Sequence, residues 1–141
     1  DVADVGAGYG PIAVALARRA PERTVWAIEV NERARELCRT NAAAAGVADR
    51  VRVVAPEDVP TDLRVAMVAS NPPIRAGKAA LHDLCRTWMD RLTPDGEAWW
   101  VVQKHLGSDS LQAWMVDQGW PTDRVRSRQA YRVLRSNRPV S

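Results

Sequence analysis

Apolar residues along this chain follow two periods, one typical of buried strands and one typical of amphipathic helices. The run from Val65 to Ala69 is wholly apolar, and Val2–Val5 is nearly so, as expected for strands that are covered on both faces. Residues 77–92 instead repeat at helical spacing. The inner face of that helix is predicted to contain Leu81, Leu84, Cys85, Trp88, Met89 and Leu92. Strand and helix patterns alternate throughout, which predicts an α/β fold with a mostly parallel sheet.

Glycines, prolines and changes of period set the predicted ends of the elements. The predicted strands are residues 2–5, 24–30, 50–55, 64–70, 97–103, 122–127 and 130–135, and the predicted helices are 11–20, 32–45, 77–92 and 109–118. A turn is expected at Thr93–Gly96, and strand 97–103 is apolar enough to be buried on both faces. Leu111, Trp114 and Met115 form the expected inner face of the last helix. The two final strands are joined by a short turn, so the predicted sheet ends in a hairpin.

Length and composition are those of one globular domain. The chain has 141 residues, without an apolar stretch of transmembrane length or a recognisable signal peptide. Cys38 and Cys85 fall in separate predicted helices without metal-ligand spacing, so we expect buried thiols in a reducing cytoplasm and no metal site. Because Asp1 precedes the first strand directly, we expect a domain that is trimmed at its amino end.

The net charge of +3 is unevenly distributed along the chain. Residues 1–70 carry 9 basic and 10 acidic side chains, whereas residues 71–141 carry 11 and 7. A basic second half suits a polyanionic partner such as RNA, and a solvated surface is the alternative explanation.

A glycine-rich segment, DVGAGYG at residues 4–10, lies between the first strand and the first helix. Gly6, Gly8 and Gly10 allow a tight turn and a close backbone approach to a ligand. The loop is of nucleotide-binding type, but its G-x-G-x-G spacing differs from the G-x-G-x-x-G of dinucleotide-binding folds. Glu29 follows the second predicted strand, where an acid can bind ribose hydroxyls. The loop and the acid together predict a nucleoside-type site.

A second candidate site is Asn71-Pro72-Pro73, directly after the strand at 64–70. Proline has no N–H for the strand ladder, so the strand must end here, at the edge where ligands bind in open α/β sheets. The Asn71 side-chain oxygen and the Pro72 carbonyl can accept both hydrogens of a planar exocyclic amine. By itself the tripeptide is also typical of a strand-ending turn, and the glycine loop and Glu29 favour the ligand-binding interpretation.

These motifs together resemble the class I S-adenosylmethionine-dependent methyltransferases. The chain is most similar to their small-domain family, which includes the 16S ribosomal RNA guanine-N2 methyltransferases. The resemblance extends over the whole chain and is carried by DVGAGYG at 4–10, NPPIRAGK at 71–78, QKHLGSDSLQ at 103–112 and YRVL at 131–134. It implies a catalytic domain over residues 1–141 with a Rossmann-like seven-stranded, mostly parallel sheet, helices on both faces and a carboxyl-terminal antiparallel hairpin.

The resemblance also implies a role for each matching residue. The cofactor pocket would comprise Asp4, Gly6, Gly8 and Gly10 beside the methionine part, Glu29 at the ribose, Asp58 (or Glu57) at the adenine amine, and Asn71. The catalytic residues would be Asn71, Pro72 and Pro73, which hold the target amine. Ile74 would contact the base, unless it is a core residue, while Arg75, Lys78, Lys104 and His105 would hold RNA phosphates. The alternatives are that Lys78 is a solvated helix residue and that His105 satisfies a loop carbonyl.

The resemblance predicts a cytoplasmic enzyme that methylates guanine N2 in small-subunit ribosomal RNA and acts on RNA without a membrane partner. Ile74 favours guanine, because methyltransferases of adenine or glutamine often have an aromatic residue at that position. Two alternatives remain. One is the same chemistry on adenine N6 or a protein glutamine, and the other is a non-catalytic RNA-binding module.

Overall fold

A computed structural model describes residues 1–72, 76–103, 108–127 and 131–139. The chain is divided into two compact units, Asp1–Val65 and Ala66–Ser141. The strands are β1 (Val2–Val5), β2 (Val25–Ile28), β3 (Val51–Val54), β4 (Val65–Ser70), β5 (Leu92–Gln103), β6 (Thr122–Ser127) and β7 (Tyr131–Asn137). The helices are α1 (Pro11–Arg19), α2 (Glu32–Ala44), α3 (Lys78–Asp90) and α4 (Ser108–Asp117), with a 3-10 turn at Pro56–Asp58.

The predicted fold class is confirmed. The seven strands form a mixed sheet that is mostly parallel, with antiparallel strands at its carboxyl-terminal end. β1, β4 and β6 have nearly the predicted bounds; for β1 and β4 this is because glycine or proline follows closely on the apolar run. Among the described residues, every helix is too short or too polar to span a lipid bilayer.

In the first unit, three parallel strands have the order β3-β2-β1. Their register places Val5 beside Ile28 and Ile28 beside Val54, so the three strands end at one level. Helix α1 packs on these strands, and α2 packs on β3 and α1. The residues that follow the three strands therefore emerge along one edge: the glycine loop, Glu29 and the Ala55–Asp58 turn.

In the second unit, the strand order is β4-β5-β7-β6, and β7 is antiparallel to both of its neighbours, as the predicted hairpin requires. The prediction for β5 was wrong in two respects. First, the strand begins at Leu92, so the predicted turn at Thr93–Gly96 lies within it. The backbone comes close to itself there, since a Cβ on Gly96 would lie 3.0 Å from the Thr93 carbonyl oxygen.

Second, β5 is buried on one face only. Ala98, Trp100 and Val102 are fully buried, whereas Trp99 and Val101 are half-buried. The half-buried face has polar neighbours, since the Trp99 indole donates to Glu97 (3.2 Å) and lies beneath the guanidinium of Arg135.

The predicted inner faces of the two helices in this unit are largely confirmed. Leu81, Cys85, Trp88 and Met89 are buried in α3, and Leu111 and Met115 are buried in α4. Leu84 and Trp114 are exceptions because they are half-buried. Leu92 is another, because the helix ends at Asp90 and Leu92 is instead the buried first residue of β5. Both cysteines are buried thiols, as predicted.

Candidate functional site

The glycine loop after β1 has a backbone that only glycine adopts easily. Gly8 has φ of 59° and Gly10 has φ of 96°, and Gly10 precedes Pro11, the first residue of α1. A Cβ on Gly10 would also lie 2.6 Å from the Cys38 sulfur, so the position has no room for a side chain. The amides of Gly6 and Ala7 both donate to the Ile28 carbonyl, at 2.8 and 3.0 Å. The loop is therefore attached to the end of β2.

Glu29 contacts this loop directly. One carboxylate oxygen accepts the Gly8 amide at 2.8 Å, and the other accepts the Asn31 amide at 2.9 Å. The sequence thus correctly paired the loop with the acid that follows the second strand. Each carboxylate oxygen can accept more than one hydrogen bond, so the half-buried side chain retains capacity for ligand hydroxyls.

Asp4 is buried beneath the same loop, with 2% of its surface exposed. It accepts a hydrogen bond from the Ala13 amide, but its Oδ2 has no hydrogen-bond partner among the described residues. Burial raises the pKa of Asp4 to about 6, the Ala13 amide opposes this rise, and the negative charge of Glu29 adds to it. A cation near Oδ2 would relieve this unfavourable burial of charge.

The acidic turn after β3 is accessible at the same edge. Glu57 and Asp58 are both exposed on the Pro56–Asp58 turn, whose Asp58 amide donates to the Ala55 carbonyl at 3.0 Å. The two carboxylates are adjacent in sequence and both exposed, so the choice between Asp58 and Glu57 stays a prediction.

The second unit contains the candidate target site. Asn71 directly follows β4 and is exposed, whereas Pro72 is buried. The strand ends where the prolines predict. Lys78 is an exposed first residue of α3. Pro73, Ile74, Arg75, Lys104 and His105 lie outside the described residues, so their predicted roles stay predictions.

Three residues of α2 that the sequence did not suggest also contact the loop and the turn after β2. Arg35 donates to the carbonyls of Glu29 and Val30, both at 2.9 Å, and Asn41 donates to the Tyr9 carbonyl at 2.8 Å. The third residue is Cys38, beneath Gly10. In the sequence, these three residues share only a spacing of three, which places residues 35, 38 and 41 on the same side of a helix.

The family of the chain is shown by comparison with known proteins. The family model of the methyltransferase small domain matches residues 1–135. The chain therefore belongs to the methyltransferase small-domain family, as its motifs predicted.

Relatives in this comparison differ in their named substrates. YbxB of Bacillus subtilis, a protein named as uncharacterized, is 33% identical over 140 residues, which are 97% of this chain and 69% of YbxB. The tRNA1(Val) (adenine(37)-N6)-methyltransferase of Porphyromonas gingivalis is 36% identical over 86 residues, covering 56% of this chain and 33% of that enzyme. Others are named ribosomal RNA small subunit methyltransferase C, ribosomal protein L11 methyltransferase and release factor glutamine methyltransferase.

Among solved structures, the Thermus thermophilus 16S rRNA N2 G1207 methyltransferase, in complex with AdoMet and guanosine, superimposes with a TM-score of 0.82 at 21% identity. The match covers 97% of this chain but 37% of that protein. A methyltransferase from Pyrococcus furiosus superimposes with a TM-score of 0.80 at 18% identity. That match covers 99% of this chain and 75% of the Pyrococcus furiosus protein. These likenesses establish the fold. The chain spans about two thirds of YbxB but less than half of several relatives with named substrates.

Proposed function

We propose that the chain is an S-adenosylmethionine-dependent methyltransferase that modifies guanine N2 in small-subunit ribosomal RNA. The observation that carries the proposal is the glycine loop whose Gly8 amide is hydrogen-bonded to the Glu29 carboxylate, in a chain of the methyltransferase small-domain family. AdoMet in the Thermus thermophilus structure supports the same cofactor here.

The described residues fit this cofactor. The loop approaches a ligand through glycine backbone, Glu29 can accept ribose hydroxyls, and the unpartnered Oδ2 of Asp4 suits a positive charge. Glu57 or Asp58 would accept the adenine amine. When bound, S-adenosylmethionine supplies a methyl group that is already electrophilic, because its carbon is attached to a sulfonium.

The chain's own task is then to orient the nucleophile. Asn71 Oδ1 and the Pro72 carbonyl would accept the two amine hydrogens, favouring a pyramidal nitrogen with an available lone pair. The amine held by these two acceptors would lose its proton only after transfer, when the nitrogen is cationic, so no strong side-chain base would be needed. Alignment of this kind contributes on the order of 7–11 kcal/mol to lowering a barrier.

Guanine N2 is the target that the observations favour. The aliphatic Ile74 follows Asn-Pro-Pro, and the superimposed Thermus thermophilus enzyme is named for N2 of a guanosine in 16S rRNA. Because an Asn-Pro pair would also orient adenine N6 or a glutamine amide, the product must be identified chemically.

The proposal is tested by replacing Asn71. Asn71→Ala should lower methyl transfer to small ribosomal subunits by about 100-fold or more, because a misplaced nucleophile costs that much. Both kcat and kcat/KM should fall, as for an interaction made mainly in the transition state. Cofactor affinity by calorimetry and thermal stability should stay close to wild type. Asn137→Ala, which makes the same change on β7, is the matched control and should retain activity.

Each result has a defined meaning. N2-methylguanosine in the RNA supports the full proposal, whereas methylated adenine or glutamine rejects guanine as the target. Wild-type turnover in Asn71→Ala rejects the role of Asn71. A wild-type protein that binds RNA but not S-adenosylmethionine would instead be a non-catalytic module.

A further inference from the structure

Packing fixes the two ends of the glycine loop, where Ala7 is buried and Gly10 lies against Cys38, but not its centre. Gly8 and Gly10 both have positive φ, and glycine has a wide choice of backbone conformations. The one large side chain between them, Tyr9, is 60% exposed and therefore does not anchor the loop by packing. A loop of this kind needs a restraint from elsewhere if it is to keep one conformation.

Asn41 provides a restraint at the centre of the loop. Its side-chain Nδ2 donates to the Tyr9 carbonyl at 2.8 Å, across 32 positions of sequence. The same peptide unit continues into the Gly10 amide, which donates to the Ala7 carbonyl at 3.0 Å. The Tyr9–Gly10 peptide is thus held at both of its polar ends, and Asn41 is the partner that lies on another element.

This restraint is close to the proposed cofactor contacts. Gly8, one residue before Tyr9, donates to Glu29 at 2.8 Å, and Arg35 of the same helix holds the carbonyl of Glu29 itself. Without the hydrogen bond from Asn41, the loop between Gly8 and Gly10 would have more conformational freedom, and the Gly8 amide is part of that loop. Helix α2 therefore holds backbone carbonyls next to both partners of the Gly8–Glu29 hydrogen bond.

We propose that Asn41 is a positioning residue that preorganises the glycine loop for cofactor binding. This inference rests on the proposed function and specifies how the cofactor site is held. The hydrogen bond from Asn41 to Tyr9 is exposed to solvent. Loss of this hydrogen bond should therefore affect the order of the loop far more than global stability. A loop that must be ordered during binding lowers affinity by the free energy of that ordering.

The test compares two substitutions of Asn41 with a neighbouring control. Asn41→Ala removes the donor, and Asn41→Asp keeps the shape but replaces the amide donor with an acceptor that repels the Tyr9 carbonyl. Thr40→Ala alters an exposed residue of the same helix whose hydroxyl donates only to Glu36 of its own helix. Each variant is measured for S-adenosylmethionine affinity by calorimetry, for hydrogen exchange of the Gly8 and Gly10 amides, and for melting temperature.

Both Asn41 variants should weaken cofactor binding by about three- to tenfold, the range expected for one net hydrogen bond, with Asn41→Asp at least as affected. The Gly8 and Gly10 amides should exchange faster, and the melting temperature should match that of Thr40→Ala. Unchanged affinity with unchanged exchange would overturn the inference, as would a large fall in melting temperature with normal affinity.

Failure of the proposed function has a different signature. A wild-type protein that does not bind S-adenosylmethionine rejects the proposed function. The inference about the loop is then decided by hydrogen exchange alone. Faster exchange of Gly8 and Gly10 in Asn41→Ala, but not in Thr40→Ala, supports the restraint, and equal exchange in the two variants refutes it.

Discussion

At the scale of single residues, Asp4 is a buried carboxylate whose charged form is disfavoured by its surroundings. The carboxylate is buried, has one backbone donor and lies near the charge of Glu29, so its pKa is raised to about 6. A raised pKa means that the folded protein binds a proton more tightly than the unfolded chain, whose group titrates near 3.8. This contribution to stability is complete below the unfolded pKa and is lost as pH rises through the folded pKa.

Asp4→Asn should remove this pH dependence while keeping an acceptor for the Ala13 amide. Between about pH 4.5 and pH 7.5 the wild-type protein should lose about 2 kcal/mol of unfolding free energy relative to the variant, since one pKa unit corresponds to about 1.4 kcal/mol. Urea denaturation at the two pH values measures the difference. The other carboxylates cancel in the comparison, so parallel pH curves for the two proteins would show that Asp4 is not strained.

At the scale of elements, α3 and α4 are joined by stacked side chains at the surface. His82 lies parallel to Trp114, with ring centroids 3.7 Å apart, and Trp120 meets Trp114 edge-on at 5.5 Å. Arg86 places its guanidinium 5.3 Å from the Trp114 ring. Trp114 therefore packs sideways against α3, which explains why it is half-buried and not in the inner face of α4.

A double-mutant cycle with His82→Ala and Trp114→Ala should give a coupling of about 0.5–1.5 kcal/mol near neutral pH. The matched cycle with Val116→Ala, on the exposed side of α4, should give none. A coupling of zero for His82 and Trp114 would contradict the stack. Both cycles can be measured by urea denaturation.

The same pair should respond to pH. Burial, followed by the charges of Arg86 and Lys78, lowers the pKa of His82, and only Asp83 opposes them. The folded state therefore resists protonation, and stability should fall as pH decreases below the ordinary pKa of 6.5. His82→Ala should remove the part of this acid-induced loss of stability that is due to His82.

At the scale of the whole molecule, the net positive charge comes from the second half of the sequence, which has 11 basic and 7 acidic side chains. Arg124 and Arg132 share one acidic partner, Asp109, while Arg135 pairs with Asp123. Lys78 and Arg126 are exposed, and no ion pair is found for either within the described part of the chain. These free cations suit a polyanion, in agreement with the proposed RNA substrate.

Removing a cation from this half should weaken RNA binding more than removing one from the first half. Lys78→Ala should lower the affinity for single-stranded ribosomal RNA segments and reduce the salt slope by about 0.7, the value for one phosphate contact. The control is Arg18→Ala, because Arg18 is exposed in the last turn of α1 and its loss changes the net charge by the same amount as Lys78→Ala. Arg18→Ala should leave the salt slope of RNA binding unchanged. Equal effects in the two variants would show that RNA responds only to net charge.

Much of the architecture could be predicted from the sequence by itself. Apolar runs ended by glycine or proline located the strands within about two residues, except for β5, because strand and helix periods are local properties of the chain. The pairing of the glycine loop with Glu29 was also predictable, since residues that follow parallel strands emerge at one edge of a sheet. Asn71 was correctly placed after β4 because Pro72 cannot continue a strand.

Only the tertiary structure determined which distant residues support these groups. The contact from Asn41 to Tyr9 spans 32 positions and leaves no local pattern, and the same is true of the contact between His82 and Trp114. The raised pKa of Asp4 depends on its burial and on the charge of the distant Glu29, and the half-exposed face of β5 depends on which helices cover it. Local periodicity specifies which element a residue joins, whereas burial, strain and support depend on packing between elements that are remote in sequence.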